Sequence, residues 1–448
     1  MARQARALRQ STLWGTPEVV QVQVRKSARV ARRSAYASTV RTRERSTLAS
    51  PPRKRTWRPP TPPRSITDHI ERKRVLSVTD LVSPSWCEYA YLYNILAQSH
   101  LPLTQRPTSI TTPQGNVLTP SWAQLVARDE ILAQGVKVHE AIEREVQPVE
   151  LTFRFVAPSD QWALFLLQFA AGVHAARTTG RAREIPVLGY VNGRLVRGII
   201  DELRREGPVV LVADTKTRRS LRLPPELDQL QARLQVMLYK RLVDSLYAGI
   251  TGASACTEDA YAEPVSIPTV CDTLQLDMDA PLSDELHEDL KTMVRTSATP
   301  WTVDEMTGLT MRAALHLARS ALEEHSEIRF AKQLELVYVH RDTQGSPLGV
   351  SHFDADPELL QNYLDRVFLL LEGDRAPEGV GVQATRRCES CAWREGCEWR
   401  DAQAQAAAAK ATERSKLKNS TTHLAASADD ALWNEFDIPE HHLRLLEW

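Results

Sequence analysis

The sequence predicts an α/β fold in which helices flank a central sheet. An amphipathic helix is expected at residues 130–146 and a buried helix at residues 162–176, ahead of two runs rich in β-forming residues. A further helix is expected from about residue 225 to 246. This order of helix, strands and helix is typical of a sheet covered by helices. With 448 residues, 42% of them apolar, the chain is long enough for one large domain or two medium ones.

A hairpin is expected at the start of the sheet. Residues 185–200 are rich in apolar types but are interrupted by Asn192-Gly193, and this dipeptide between apolar runs is a strong hairpin signal. A second apolar strand is expected at residues 209–212, and it is followed at once by Ala213-Asp214-Thr215-Lys216.

The later elements have simpler patterns. Residues 334–339 predict a strand and residues 357–371 a helix, whereas the stretch 250–330 has weak signals and no chemistry can be placed in it. The Ala/Gln-rich run 402–409 predicts a low-complexity helix or a linker, and residues 428–448 form an acidic tail with scattered apolar residues.

The two ends of the chain differ from its centre in charge. The formal net charge is zero, yet residues 1–65 carry sixteen Arg or Lys and only two acidic residues. Such a segment cannot bury enough apolar surface to order itself, and its composition is typical of a mitochondrial transit peptide. A basic arm that binds nucleic acid, or a nuclear signal at Arg53-Lys54-Arg55, is the alternative. The ordered domain is expected at residues 66–400, with a linker and tail at 401–448.

Neither membrane insertion nor a disulfide framework is indicated. The longest apolar run, residues 162–176, is shorter than the roughly 18 residues that span a bilayer and contains Gln168 and His174. Six cysteines in a chain of this length, with no secretory signal at its start, favour a reducing compartment.

Two aspartates and a lysine form the most informative local pattern. Asp201 closes the run Gly198-Ile199-Ile200-Asp201, and Asp214-Thr215-Lys216 follows thirteen positions later at the end of the apolar strand. Residues two apart on a strand share a face, so Asp214 and Lys216 are expected on one side, with Asp201 placed opposite them by the hairpin. Carboxylates that hold Mg²⁺ and a cation that stabilises developing charge are what phosphodiester cleavage requires. Taken alone, this pattern is more often an ordinary set of strand-end charges.

Other polar residues accompany this pattern on the flanking helices. Gly135 and His139 lie on the upstream helix, and Gln235-x3-Tyr239 lies on the downstream helix. A lone histidine on an amphipathic helix is more often a packed residue than a ligand. Here it becomes a ligand only if it faces the same cleft as Asp201.

Three cysteines cluster near the end of the predicted domain. Cys388, Cys391 and Cys397 can supply three thiolates from one short loop, and Cys87 is the candidate for a fourth ligand. Zinc is the simpler alternative, but zinc ribbons normally pair one Cys-x2-Cys knuckle with another, and this sequence has only one. Cys256 and Cys271 are expected to be small core or surface residues.

The order of these motifs resembles that of RecB-like nucleases of the PD-(D/E)xK superfamily. The resemblance implies a restriction-endonuclease-like core, with His139, Asp201 and Asp214 as ligands of Mg²⁺ or Mn²⁺ and Lys216 as the catalytic lysine. It also implies that Gln235 and Tyr239 contact DNA. Glu184, just before the strand that starts at Ile185, resembles a further acidic position of the family. The cysteine set resembles the [4Fe–4S] clasp of these nucleases, which joins the N- and C-terminal parts of the domain.

The segment around Cys87 narrows the resemblance to the exonuclease V family. Ser77-Val78-Thr79-Asp80-Leu81, followed by Trp86-Cys87-Glu88, departs from the Cys-Pro of bacterial relatives, and the match runs from about residue 75 to 400. This resemblance implies a monomeric exonuclease that degrades single-stranded DNA into short oligonucleotides, in mitochondrial DNA maintenance or DNA repair. A single-stranded-DNA-binding protein or a helicase is the expected protein partner.

Cationic side chains next to these motifs are candidate phosphate contacts. Arg218, Arg219 and Arg222 follow the catalytic strand, and Lys240 and Arg241 extend the Gln235 helix. Charge runs of this kind are as often ordinary solvated surface. The alternative functions are a RecB-like endonuclease, a nuclease subunit of a helicase complex, or a non-catalytic zinc-bound nucleic-acid module.

Overall fold

A mixed sheet of seven strands lies at the centre of the part of the chain that the structure describes. The computed structural model describes residues 62–147, 149, 151–252, 259–324, 328–342 and 346–425, with side chains up to residue 415. Nearly all of the predicted basic arm, together with Cys256 and the acidic tail at 428–448, lies outside these residues.

The described residues form eleven helices and nine strands. The helices are α1 (Ile66–Glu71), α2 (Val78–Val82), α3 (Glu88–Leu96), α4 (Trp122–Val146), α5 (Pro158–Thr179), α6 (Glu226–Thr251), α7 (Ile267–Leu274), α8 (Asp284–Thr296), α9 (Met311–Glu323), α10 (Pro357–Glu372) and α11 (Glu398–Ala425). The strands are β1 (Leu76–Ser77), β2 (Ile110–Thr111), β3 (Val117–Leu118), β4 (Arg181–Val191), β5 (Arg194–Glu206), β6 (Val209–Arg218), β7 (Arg329–Phe330), β8 (Gln333–His340) and β9 (Pro347–Asp354). Short 3₁₀ segments lie at Ser83–Ser85, Leu103–Gln105, Asp304–Met306 and Val382–Ser390.

The main sheet has the order β1-β5-β6-β8-β9, with β4 paired to β5 and β7 paired to β6. β4, β5 and β6 form an antiparallel meander, whereas β6 and β8 are parallel neighbours. Helices α5 and α6 pack against β4 and β5, and α4 lies against β4 and β6. The predicted α/β fold with a central mixed sheet flanked by helices is therefore confirmed.

The predicted hairpin joins β4 to β5. Val191 pairs with Arg194, which leaves Asn192-Gly193 as a two-residue turn. Both turn residues have positive φ, 46° for Asn192 and 72° for Gly193. A two-residue turn with φ positive at both positions matches the right-handed twist of the flanking strands, which is why Asn-Gly suits it.

Three predicted elements extend further than the sequence indicates. Helix α4 begins at Trp122, eight residues before the expected start, and α6 continues to Thr251. Strand β6 continues to Arg218, so Asp214 and Lys216 lie inside the strand rather than at its end.

The region that gave weak signals contains α7, α8 and α9. Helix α9 packs against α5 and α6, and Cys271 on α7 is buried, as expected of a small apolar residue. Of the two alternatives for the Ala/Gln-rich run, the helix is correct, since α11 covers it. None of the helices in the described chain combines the length and apolar character needed to cross a bilayer.

Candidate metal centre and cysteine cleft

Strands β5 and β6 bring the predicted carboxylates together. They pair antiparallel with Glu202 opposite Ala213, so Asp201 and Asp214 are the next residues on the two strands. The backbone N–H of Thr215 donates a hydrogen bond to Asp201 Oδ2 over 3.0 Å. Both aspartates are buried. The strand pairing thus places Asp201 beside the Asp214-Thr215-Lys216 run, as the hairpin pattern predicts.

Three side chains form a candidate metal group. One ligand atom each from His139, Glu184 and Asp201 lies within 4.8 Å of the others. His139 is buried on α4, and its Nδ1 lies 3.5 Å from Asp201 Oδ2. Two carboxylates and one imidazole suit a divalent cation, since carboxylate oxygens favour Mg²⁺ and Mn²⁺ and imidazole binds first-row metals. The histidine predicted from the helix pattern therefore does face the carboxylate cleft.

Glu184 has a backbone conformation that is unusual for a strand. The sequence suggested that it precedes the strand, but β4 starts at Arg181 and Glu184 lies within it. Its φ is +55°, although the pairs on either side, Arg183 with Glu202 and Ile185 with Ile200, keep the same register. This register puts Glu184 opposite Asp201, so the two side chains share a face of the sheet. The left-handed backbone at Glu184 costs about 1–2 kcal/mol for a non-glycine residue, and no local sequence signal marks it.

This strain gives a prediction for Glu184. Glu184→Gly is expected to weaken Mn²⁺ binding while keeping or raising the melting temperature. Glycine adopts positive φ without strain, and this gain offsets the roughly 0.5–1 kcal/mol of extra chain entropy that glycine loses on folding. Glu184→Gln keeps the strain and the side-chain size, so it should weaken Mn²⁺ binding without any gain in stability. Titration calorimetry and thermal melts of both variants check this. A large destabilisation by glycine would show that the carboxylate is structural.

A chain of polar contacts holds Lys216. Its Nζ lies 2.7 Å from Asp214 Oδ2 and donates a hydrogen bond to Gln235 Oε1 over 3.0 Å. Gln235 Nε2 in turn donates to the Tyr239 hydroxyl over 2.9 Å. Asp214 is thus engaged by Lys216, and it is Glu184 that joins His139 and Asp201. Gln235 and Tyr239, predicted as DNA contacts, lie where they orient the lysine.

Two glycines of the sequence motifs allow the helices to approach the sheet. A Cβ built on Gly198 would lie 2.5 Å from the Tyr239 ring, and one built on Gly135 would lie 3.1 Å from Thr217 Oγ1. The first contact seats α6 on β5, and the second brings α4 against β6. A larger side chain at Gly198 would push away the helix that carries Gln235 and Tyr239.

The cationic candidates separate into three kinds. Arg219 is exposed, with 80% of its side-chain surface accessible, whereas Arg218 is half-buried. Lys240 and Arg241 are buried in ion pairs with Asp244 and Asp259. Lys240 and Arg241 are therefore not available to phosphates, which corrects the expectation for these two. Their positions follow from the inward-facing side of α6, whose direction the sequence pattern did not resolve.

The four predicted cysteines line one cleft. Cys87, Cys388, Cys391 and Cys397 surround about 350 Å³ of empty space, part of it open to solvent, together with Trp86 and Trp393. Burial, and after it the like charges that the other three cysteines would carry, raise the pKa of the Cys391 thiol to about 11. Burial also raises the pKa of Cys87 and of Cys388. Four thiols around one cleft are suited to a bound metal or cluster, which stabilises thiolates.

Hydrogen bonds join the cysteine segment to both helices of the metal centre. Arg387, next to Cys388, donates to the carbonyls of Ser85 and Trp86 and, over 2.9 Å, to the carbonyl of Leu227 near the start of α6. At the other side, Gln124 on α4 donates to the Glu389 carbonyl over 3.0 Å. Further along the same two helices lie His139 on α4 and Gln235 and Tyr239 on α6. The cysteine cleft therefore anchors the two helices that deliver the site residues.

Contacts other than those of the cysteines also join the N- and C-terminal parts. Arg375 forms an ion pair with Glu88, the Tyr363 hydroxyl donates to the Leu81 carbonyl over 2.8 Å, and Trp393 Nε1 donates to Asn94 Oδ1 over 3.1 Å. These contacts span about three hundred residues of sequence, so the two parts are joined by more than the cysteines.

Comparisons with known proteins identify the family of this chain. The profile of a family described as "Exonuclease V - a 5' deoxyribonuclease" matches residues 118–210 and 204–400. Exonuclease V of Danio rerio is 27% identical over 337 residues, which cover 73% of this chain and 71% of the relative. Among solved structures, SSO0001 aligns with 74% of this chain and 92% of its own, at 14% identity and a TM-score of 0.30. The family profile spans well over half of the chain, including every residue of the candidate metal group and three of the four cysteines. The chain belongs to the exonuclease V family.

Proposed function

We propose that this protein is a metal-dependent exonuclease that degrades single-stranded DNA from its 5′ end and releases short oligonucleotides. Membership of the exonuclease V family indicates a deoxyribonuclease. The observation that carries the proposal is the group of His139, Glu184 and Asp201, of which the first and last are buried, next to a lysine held by Asp214 and Gln235. Phosphodiester cleavage requires ligands for a divalent cation and a fixed positive charge, and this combination supplies both.

His139, Glu184 and Asp201 would hold the divalent cation, with Asp214 beside them. When bound, Mg²⁺ or Mn²⁺ polarises a phosphate and lowers the pKa of a coordinated water. Lys216 supplies a fixed positive charge for the negative charge that develops on the phosphate oxygens. Asp214 and Gln235 hold the ammonium group in place, so little reorganisation is needed when the charge develops.

The order β4-β5-β6 followed by α6 and β8, with Asp201, Asp214 and Lys216 on adjacent strands, supports a restriction-endonuclease-like PD-(D/E)xK core within a nuclease domain at residues 66–400. The four cysteines around one cleft support a [4Fe–4S] cluster, with zinc as the alternative occupant. The cluster would serve a structural role, since it lies at the N-terminal ends of α4 and α6.

The composition of residues 1–65 supports a place of action in mitochondria, in DNA maintenance or repair. Mitochondrial import of a chain that lacks these residues would contradict this part of the proposal.

Incubation with free-ended and circular single-stranded DNA tests the function. Free-ended DNA should be degraded to short oligonucleotides in Mg²⁺ or Mn²⁺ and remain intact in EDTA, whereas circular DNA should resist. Labels placed at either end report the direction, and a 5′ block alone should protect a linear strand.

The rival functions predict different results. Cleavage of the circle would identify an endonuclease. Cleavage that requires an added helicase would identify a subunit of a larger machine, and binding without cleavage in either metal would identify a non-catalytic module.

A further inference from the structure

Several arginines have buried side-chain nitrogen atoms that donate no hydrogen bond within the described part of the protein. Among the described residues, Arg218, Arg233 and Arg341 each have a buried Nε without a hydrogen-bond partner. Buried guanidinium N–H groups are normally bonded, because losing water without gaining an acceptor is unfavourable. Several such groups in one region indicate that the acceptor is supplied by a ligand.

Arg218 lies on the face of the sheet that carries Lys216. Arg218 is two residues beyond Lys216 on β6, so the two side chains project to the same face. On the adjacent strand β8, Tyr338 is opposite Lys216, and His340 is opposite Arg218. Arg341 comes after the end of β8, and its backbone N–H donates to the Arg218 carbonyl over 2.8 Å. The strand pairing does not place the Arg341 side chain on this face, so the group on this face does not include it.

Arg233 reaches the same place from α6. Its guanidinium carbon lies 5.0 Å from the centre of the Phe353 ring on β9. One terminal nitrogen lies 3.5 Å from Glu226 Oε1, so Nε is the nitrogen that has no acceptor. Tyr338 lies close to both arginines: burial raises its pKa to about 12, while Arg218 and Arg233 act in the opposite direction. Arg218 and Arg233 therefore both lie near Tyr338, which is opposite Lys216 on the adjacent strand.

The chemistry of this group suits a phosphate. Arginine presents planar, paired N–H donors that match phosphate oxygens, and contacts of this type position a nucleic-acid strand without reading its sequence. Two residues of strand separate Arg218 from Lys216 by about 7 Å. This spacing suits two neighbouring phosphates of one DNA strand, one at Lys216 and the next at Arg218.

We propose that Arg218 and Arg233 form a subsite that binds one backbone phosphate adjacent to the scissile phosphate. This proposal rests on the proposed function and deepens it, because the subsite would define the position of the DNA strand next to Lys216. Arg219, although next in sequence, is outside the subsite: its exposed side chain lies 3.5 Å from Asp342.

Binding of a single-stranded oligonucleotide in EDTA tests the subsite without cleavage. Arg218→Ala and Arg233→Ala should each weaken binding about tenfold, as expected for loss of a charge-assisted hydrogen bond. Arg219→Ala removes the same charge one residue away and should change binding less than twofold. Thermal melts identify any variant that fails to fold, and Arg233→Gln then replaces Arg233→Ala.

The salt dependence of DNA binding shows whether the two arginines contact one phosphate or two. Each phosphate contact contributes about 0.7 to the slope of log K against log salt for single strands. The double variant Arg218→Ala/Arg233→Ala should lose about 0.7, because both arginines hold the same phosphate. An unchanged slope, or a loss near 1.4, would overturn the proposal.

Neutral methylphosphonates placed singly along the oligonucleotide locate the contact. One internal position should weaken binding by the wild-type protein about tenfold and have no effect on the double variant. If the double variant is as sensitive as the wild type at every position, the subsite is refuted. A loss seen only with a 5′-phosphorylated end would assign these arginines to a terminal phosphate and overturn the internal position. Cleavage in Mg²⁺, measured separately, reports on the proposed function itself.

Discussion

Replacing Lys216 by methionine is expected to lower the rate of DNA cleavage about 100- to 1,000-fold while leaving the affinity for single-stranded DNA within about threefold. Lys216 is held by Asp214 and Gln235, so its charge is fixed before substrate arrives. A charge fixed in this way stabilises the transition state more than the bound strand. Removal should therefore act on kcat and leave binding nearly intact.

The Lys240–Asp244 pair on α6 provides a matched control. It is also a buried ion pair between lysine and aspartate, and Lys240 follows Tyr239 directly in the sequence. Lys240→Met should lower the melting temperature, because it leaves a buried carboxylate without its partner, yet kcat of the folded protein should stay near the wild-type value. Single-turnover cleavage, Kd in EDTA and thermal melts separate the two effects. Lys216→Met with more than a tenth of the wild-type rate would remove Lys216 from the mechanism.

The parts of the fold that local chemistry determines could be predicted from sequence. Asn192-Gly193 adopts the positive φ values that its hairpin turn requires, and the apolar runs around it became β4 and β5. The spacing of Gly198, Asp201 and Asp214 was enough to place both carboxylates on paired strands. These signals depend on neighbours in sequence, so a tertiary structure was not needed to interpret them.

Residues that depend on contacts between distant segments could not be predicted in the same way. Glu184 lies opposite Asp201 in the β4–β5 register, but its left-handed backbone and its approach to His139 on α4 depend on contacts that no local pattern signals. Arg241 has the sequence context of a surface cation, but α10 and Asp259 surround it in the fold. Arg387 was not singled out at all, because its partners, the carbonyls of Ser85, Trp86 and Leu227, are far away in sequence.

The cysteine cleft could be predicted from the sequence only in part. The spacing of Cys388, Cys391 and Cys397 identified a ligand loop, and only the resemblance to known nucleases pointed to Cys87, some three hundred residues earlier. The structure adds that the loop is bonded to α4 through Gln124 and to α6 through Arg387. A change in the cleft can therefore reach the metal centre along two helices. This link determines what should happen when a cysteine is replaced.

Cys87→Ser and Cys397→Ser are expected to lose bound metal, to melt on the order of 10 °C lower and to cleave DNA poorly even where they remain folded. A cluster held by Cys87 and the Cys388–Cys397 loop closes a very long stretch of chain, and such a cross-link removes much conformational entropy from the unfolded state. The ion pair of Arg375 with Glu88 and the Tyr363 contact should keep the two parts joined, so unfolding at room temperature is not expected. The rate of DNA cleavage should fall because the contacts of Arg387 and Gln124 would no longer hold the N-terminal ends of α6 and α4 in place.

Cys271→Ser is the matched control, since Cys271 is also buried but lies on α7, outside the cleft. It should bind metal and cleave DNA like the wild type, with at most a small loss of stability from the buried hydroxyl. Iron, sulfide and zinc analysis of the purified wild-type protein then decides the occupant. About four irons with matching sulfide would support a [4Fe–4S] cluster, whereas one zinc would replace the cluster but keep the clasp, because either group ties the same four thiolates together. If neither is found, and Cys87→Ser melts and cleaves like Cys271→Ser, the cleft has no structural metal and the hydrogen bonds of Arg387 and Gln124 alone position the two helices.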